Sequence, residues 1–542
     1  MNILSSLALP EGPPCPRVEG RGRIASEYRA YLSDESRIAA EPVEVIFFPE
    51  NVGHVCQAVT ECARKDMPAT VAGARTGIVG GAVPVESRAV VSLERLNHIG
   101  PLSCDEREQC FLLNVEAGVI LSDFQGALHN TPPRDMPWAD ETCRLAGMRI
   151  LEPERRRLFY PVDPTETSAQ IGGTLATNAS GARTFHYGPT RRWVEAITVV
   201  LASGEILRLR RGQAVASEGR FILQTAGGSQ TAIPIPRLQM PKTKHAAGYF
   251  LAQDMDAVDL FIGSEGTLGI IAEATLRLIL APRERLFMTA LMPSESDALG
   301  FVQQMRRAVG LTVLAIEYFS PEGLALLRSK REEQGESSGV PALDGSARCA
   351  VYVEVAFEDP EGFRERYGLI EGLLAGCGAS PRKTWAGFST GDMEAMKAFR
   401  HALPEHVNTI IARRKIEVPA LHKVGTDMAV PDESLEDVIS LYRSKLAESG
   451  LEFVIFGHVG DNHLHVNILP RSEGELARAK SLYETFARGV VAMGGSVSAE
   501  HGIGRIKKSL LLLQYGPEKL GEMQAIKQAL DPRGLLNPGV MF

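Results

Sequence analysis

The chain has 542 residues, 44% of them apolar and 23% charged, with a formal net charge of −8. That length corresponds to roughly three or four domain-sized units and allows a large core. A mildly acidic chain without a long basic run excludes nucleic acid as the main partner. The opening residues MNILSSLALPEGPPCPRVEG have neither a basic start nor a long apolar stretch, so no signal peptide is expected. No apolar run reaches about 18 residues, so no spanning helix is expected either. The expected location is cytoplasmic, with peripheral contact at the inner membrane left open. Cys15, Cys56, Cys62, Cys104, Cys110, Cys143, Cys349 and Cys377 form no C-x-x-C pair, so reduced thiols are expected and an iron–sulfur centre is not.

Residues 1 to about 40 read as a polar, proline-spotted lead-in. Val52, Val55, Cys56, Val59 and Cys62 then form a helical stripe. The strand PATVAG leads into GARTGIVGGAVP, with Gly73, Gly77, Gly80 and Gly81 in nine residues. Glycines after a strand let backbone amides approach a phosphate, although they also make ordinary turns. The spacing is neither G-x-G-x-x-G opening a helix nor a Walker loop. AVVSL (89–93) and FLLNVEAGV (111–119) read as strands, and the proline- and charge-rich stretch 131–157 as a surface excursion. The run from Tyr160 to Leu207 contains Gly172–Gly173, a small-residue tract to Gly181, and a hairpin turning at Ser203–Gly204. Small residues over that span let a backbone wrap a large flat ligand. Residues 211–245 read as a second irregular insertion, and FIGSEGTLGIIAEATLRL (261–278) closes this half with a glycine-spaced turn and a strand.

After about residue 284 the pattern changes. RLFMTALMP and LTVLAIEYF read as strands flanking a helix striped by Ala298, Phe301, Val302 and Met305. ARCAVYVEVAFED (347–359) is another strand, and a helix is expected from about 360 to 376. MEAMKAFRHALPEHV (393–407) reads as a helix around Arg400, with Pro404 interrupting it or ending its first part. Antiparallel strands with helices on one face suggest an α+β sandwich. The amphipathic helix SLEDVISLYRSKLAES precedes FVIFGHVGDNHLHVNILP. There an apolar strand turns at Gly-His-Val-Gly-Asp, and His463, His465 and Asn467 alternate on one face of the returning strand. Glu500 and His501 follow in SAEHGIG. Imidazoles, carboxylates and an amide can therefore converge on a metal or proton-transfer site, or both; the competing reading is a satisfied core hairpin. Leu520, Met523, Ile526 and Leu530 stripe a last helix ended by Asp531–Pro532.

ARTGIVGGAVP, IGGTLATNASGA and GSEGTLGII, in that order, resemble the FAD domain of the vanillyl-alcohol oxidase and p-cresol methylhydroxylase superfamily. GHVGDNHLHVN, SAEHGIG and DPRGLLNPG resemble the branch containing D-lactate dehydrogenases, the glycolate oxidase flavin subunit and D-2-hydroxyglutarate dehydrogenases. The resemblance covers roughly residues 40 to 542. It implies an α+β protein: a two-part FAD-binding domain over 41–283 (insertions at 131–157 and 211–245), an α+β substrate cap with an antiparallel sheet and the hairpin over 284–495, and a C-terminal segment, 496–542, returning to the flavin side.

The implied activity is oxidation of a D-2-hydroxy acid to the 2-oxo acid, with hydride passing to FAD. The implied cofactor residues are Gly73, Ala74, Arg75, Thr76, Gly77, Gly80 and Gly81 in the first block. Pro161, Gly172, Gly173, Ala176, Asn178, Gly181 and Gly188 follow in the second, and Gly266, Gly269, Ile270 and Asn537 complete the set. His458, His465 and Glu500 would bind Zn²⁺ or Mn²⁺, His501 would be the general base, Arg400 would grip the substrate carboxylate, and Asn467 would orient the substrate. The acceptor is left open among a quinone, a cytochrome, an electron-transfer flavoprotein and oxygen, and a homodimer is one expected assembly.

Several residues depart from the family pattern. Ala74 and Arg75 replace glycines of a usual triplet, so Arg75 would pair with phosphate or plug the loop. No histidine lies in that loop, so non-covalent FAD is expected. His463 is an extra candidate ligand, or a neighbour hydrogen-bonding the site. Gly425 stands where the hydroxyglutarate enzymes carry a lysine, with Lys423 nearby, and Pro404 replaces a threonine. Both changes favour a lactate- or glycolate-like acid over hydroxyglutarate. The competing classes are a metal-dependent hydrolase, a non-redox flavin transferase acting on an ether-lipid precursor, and an inactive flavin-binding subunit.

Overall fold

The computed structural model describes residues 12–105, 110–154, 156–358 and 362–542. The first eleven residues of the lead-in, and residues 359–361 at the junction of the strand and helix expected there, lie outside the described residues.

The first layer is a small sheet of Arg17–Glu19, Val45–Phe47, Ala89–Ser92 and Ala69–Ala72, in that order. The last three strands are mutually parallel, and Arg17–Glu19 adds antiparallel at the edge. Part of the lead-in is thus ordered sheet. Helix Val52–Arg64 starts where the Asn51 side chain caps the His54 amide, and it buries Val55, Cys56, Val59 and Cys62. The glycine-rich loop leaves from the C-terminal end of Ala69–Ala72.

A second sheet runs Ile99–Asp105, Cys110–Glu116, Ile270–Leu280, Val194–Val200 and Ile206–Arg210, with Leu158–Phe159 also pairing Ile270–Leu280. Both insertions carry regular structure where irregular chain is expected. Helix Glu141–Glu154 buries Ala146 and Leu151, and Arg220–Gln224 forms a hairpin with Gln230–Pro234.

The third sheet has eight antiparallel strands. Its main path is Trp385–Gly387, Glu284–Met292, Cys349–Phe357, Thr312–Phe319, Phe453–His458, His463–Ile468 and Val424–Gly425, with Met428–Ala429 beside His463–Ile468. Helices cover both of its faces, not one. Every residue of Cys349–Phe357 is buried. Val351, Val353 and Val355 meet the stripe Ala298, Phe301, Val302 and Met305 in one core. On the opposite face, Tyr352 and Phe319 share a core with Leu324, Phe399, Leu403 and Val407. Strand alternation sorts neighbouring residues between these two cores.

Helix Thr390–Glu417 runs through Pro404 without ending. A proline removes one helical hydrogen bond and costs about 3 kcal/mol or more; the burial of Met396, Phe399, Leu403, Val407 and Ile411 on the same helix offsets this. The final helical stretch, Lys508–Leu530, kinks at Gly516, so the expected helix striped by Leu520, Met523, Ile526 and Leu530 forms its second part. Among the described residues no helix is long and apolar enough to cross a membrane.

Candidate active site

The hairpin forms as its alternation requires. Phe453–His458 pairs with His463–Ile468 through a short turn, placing His458 opposite His463 and Phe456 opposite His465. Phe319 pairs with Phe456 and Glu317 with Tyr352. Period-two counting therefore puts Glu354, Tyr352, Glu317, His458, His463, His465 and Asn467 on one sheet face. Gly457 sits at φ +131, where a Cβ would lie 2.8 Å from the His465 ring, so a bare backbone is required there.

His458, His463, His465 and Glu500 each offer a ligand atom within 4.8 Å of the others. His458 Nδ1 donates to Glu317 at 2.6 Å, and its Nε2 lies 3.2 Å from Glu500 Oε1. His465 Nδ1 donates to the Thr426 carbonyl at 2.9 Å, leaving Nε2 as a lone pair. His463 Nε2 lies 3.1 Å from the Asp427 carboxylate, while Nδ1 of this fully buried imidazole has no hydrogen-bond partner. Burial pushes His463 down to about 4 and His465 well below the usual imidazole value, and neutral imidazoles are what a cation binds. Burial would lower His458 too, but Glu317 and Glu500 outweigh it and raise it to about 10, so a cation there must displace its Nε2 proton. Burial alone would raise the Glu500 carboxyl, but His458 and Lys244 outweigh it and hold it well below the ordinary range. An orphaned imidazole nitrogen, two ring nitrogens oriented by their partners and an ionised carboxylate fit a divalent ion.

His501 stacks on His465 with ring centroids 5.9 Å apart, and its Nδ1 is 3.2 Å from Asp427. Asp427 lies between Val424–Gly425 and Met428–Ala429 and is almost fully buried. It accepts the backbone amides of Glu500 and His501, the Ser498 hydroxyl at 2.8 Å and the Lys507 ammonium at 2.6 Å. Burial would raise its carboxyl, yet His501 and Lys507 keep it ionised far below the usual range. The sequence reading missed Asp427; its signal is a lone carboxylate beside the apolar run MAV. Also missed were Glu317, Glu354 and Lys244.

Arg400 reaches this face from helix Thr390–Glu417. Its guanidinium lies over Tyr352 at 4.9 Å, 3.5 Å from Glu317 and 4.0 Å from Glu354, with Nε unsatisfied. It is therefore not a solvated helix arginine. Arg183 Nε binds the same Glu354 at 2.7 Å. Asn467 is buried opposite Gly425, whose missing side chain leaves room for it. Burial lowers the Lys423 ammonium.

A cavity of about 390 Å³ adjoins the cluster. Gly73, Ala74, Arg75, Thr76, Gly77 and Gly81 line one side, and Gly172, Gly173, Ala176, Gly266 and Asn537 line the others. Glu500 and His501 line it too. Gln170 turns a buried, unpartnered side-chain oxygen there, and Gly266, at φ +70, could carry no side chain because a Cβ would sit 2.7 Å from Asn537. The returning tail is anchored by Asn537, which accepts the Val71 amide and donates to the Glu265 carbonyl, each at 2.7 Å. A glycine-walled cavity with an orphaned acceptor fits a dinucleotide. Arg75 stacks on Tyr31 at 4.4 Å and donates to the Gly73 carbonyl.

The other expected cofactor residues stand outside this lining. Gly80, Gly181 and Gly269 are close-packing positions: a Cβ there would strike Ile38, the Asp163 carbonyl and Val199 respectively. Gly188 ends helix Thr184–Tyr187, and Asn178, in the left-handed region, accepts the Arg191 amide. Pro161 is buried, and Ile270 is buried at the start of its strand.

Residues 281–541 match the C-terminal domain of FAD-linked oxidases. Residues 43–147 and 152–210 match an FAD-binding domain. A D-2-hydroxyglutarate dehydrogenase of Xanthomonas citri is 32% identical, covering 92% of this chain and 89% of its own. The chain belongs to the FAD-linked oxidase family. Family relatives also include a D-lactate dehydrogenase of Anaerostipes hadrus, 28% identical over 92% of this chain and 89% of its own. A glycolate oxidase subunit GlcD of Bacillus subtilis is 27% identical over 96% and 92%. Among solved structures, an alkyldihydroxyacetonephosphate synthase shares the fold with a TM-score of 0.61 at 16% identity, covering 99% of this chain and 83% of its own.

Proposed function

We propose that this FAD-linked oxidoreductase is a dehydrogenase of a small D-2-hydroxy acid such as D-lactate or glycolate, with FAD held non-covalently and a divalent ion assisting. The observation that supports it is the shared lining: Glu500 and His501 open onto the same cavity as the glycine-rich loop. Bound FAD supplies a two-electron acceptor. His458, His465 and Glu500, with His463 as a further donor, would hold a divalent ion, which would supply Lewis acidity at the substrate hydroxyl. His501, aligned by Asp427, takes the hydroxyl proton. Arg400 holds the carboxylate, its guanidinium stacked over Tyr352, and Asn467 fixes the substrate's orientation. Burial around the cluster excludes water from the reacting carbon.

Anaerobic mixing with 2-hydroxy acids of both hands, followed by flavin absorbance, tests this reading. D-lactate or glycolate should bleach the flavin fastest. A preference for D-2-hydroxyglutarate would favour the second reading, suggested by the relative of that name and opposed by Gly425 and Pro404. No bleaching with any acid would overturn the dehydrogenase assignment. Denaturation should release intact FAD from the precipitated chain.

A further inference from the structure

Lys244 lies at the end of the second insertion, where the sequence promised no function. Its side chain is 2% exposed. The ammonium bonds Glu500 Oε1, donates to the Gly181 carbonyl at 3.3 Å and lies 3.7 Å from Asp461. That Glu500 oxygen is the one His458 Nε2 approaches at 3.2 Å and His463 Nδ1 at 3.9 Å. The backbone carrying Lys244 is tied down on both sides. Thr243 bonds the Val430 carbonyl at 3.0 Å, His245 lies 3.1 Å from the Ser496 hydroxyl, and the Ala246 amide donates to Ser498 at 2.8 Å. The lysine is thus held at the cluster by the fold.

We propose that Lys244 is a resident cation of this site that competes with a divalent ion for Glu500. The inference rests on the metal reading above. Glu317, Asp461 and Glu500 gather around His458 and would repel one another without a positive charge among them. Lys244, on Glu500, joins Arg400, 3.5 Å from Glu317, in supplying that charge, so the pocket stays assembled without an ion. An arriving divalent ion would be held by the same carboxylate, and two cations on one carboxylate in a dry pocket repel strongly. Binding therefore requires the flexible lysine stem to swing the ammonium off Glu500. The cost weakens the site and makes the ion exchangeable. If Lys244 only held Glu500 in position, its loss would instead weaken metal binding.

The test is Mn²⁺ titration by calorimetry of the chelator-treated, FAD-loaded protein, wild type against Lys244→Met and Lys244→Arg. Lys244→Met should bind Mn²⁺ at least about tenfold more tightly, and Lys244→Arg should stay near wild type. Equal or weaker binding by Lys244→Met overturns the inference while leaving the metal site standing. Failure of both wild type and Lys244→Met to bind Mn²⁺ overturns the metal reading and this inference together. Should Lys244→Met not fold, crystal structures of the wild type with and without Mn²⁺ decide. The ammonium should leave Glu500 in the loaded form, and its remaining there overturns the competition.

Discussion

The flavin-side cavity and the charged cluster on the eight-stranded sheet meet at Glu500 and His501, yet they are made of different materials. The cavity is walled by glycines, small side chains and one returning asparagine, so its specificity lies in bare backbone and empty space. The cluster is made of imidazoles and carboxylates taken from water, each held by a partner from another segment: Glu317 for His458, Thr426 for His465, Asp427 for His501. Added bulk should damage the first and spare its charges. Lost charge or a lost ligand should damage the second and spare the cavity.

The largest effect should come from the cluster. His465→Ala should lose the divalent ion and cut turnover by orders of magnitude, since Lewis-acid activation supplies several kcal/mol. FAD content, read from the absorbance ratio, should stay normal. Loss of both metal and flavin would mean that the two regions are not separable.

Arg400→Lys comes next. It keeps the charge and loses the planar fork over Tyr352; removing a desolvated charge partner outright costs on the order of 2–5 kcal/mol, which is the upper bound here. KM for the acid should rise strongly with FAD content unchanged. Kinetics equal to wild type would move the carboxylate clamp elsewhere.

The cavity's counterpart is Gly173→Leu. A Cβ at Gly173 meets nothing within 4 Å, so the chain should fold. The added side chain should lower FAD occupancy, with the metal content and the melting point of the flavin-free protein close to wild type. Full flavin loading would place the cofactor away from this wall.

The smallest effect is a pH slope at the seam between the regions. Glu265 lines the cavity and accepts the Ile503 and Gly504 amides at 2.7 and 2.8 Å. Burial outweighs those bonds and raises its carboxyl from 4.5 to about 7. The folded state then binds more protons than the unfolded state between these values, so this group's contribution to stability falls as pH rises through that window, by on the order of 1–3 kcal/mol. Melting curves of wild type and Glu265→Gln should diverge in slope across that range, the variant lacking the decline. Parallel curves would show that Glu265 titrates normally.

What the sequence determined by itself was local. The hairpin's alternation, the glycine tracts and the order of the blocks depend on spacing along a few residues, and backbone geometry turns such spacing directly into shape. The hairpin histidines, Glu500 and His501 were legible for that reason, whereas the tail returning through Asn537 was legible only through the resemblance to the family. Tertiary structure decided the rest. Asp427 is separated by 74 residues from the His501 it aligns, Glu317 by 141 from His458, and Lys244 by 256 from Glu500. No local pattern specifies such pairs, because a buried charge is satisfied by whichever segment the fold brings to it. The passage of a helix through Pro404 was also decided at that level, since apolar burial against the sheet outweighs a local preference that a reading of neighbouring residues would follow.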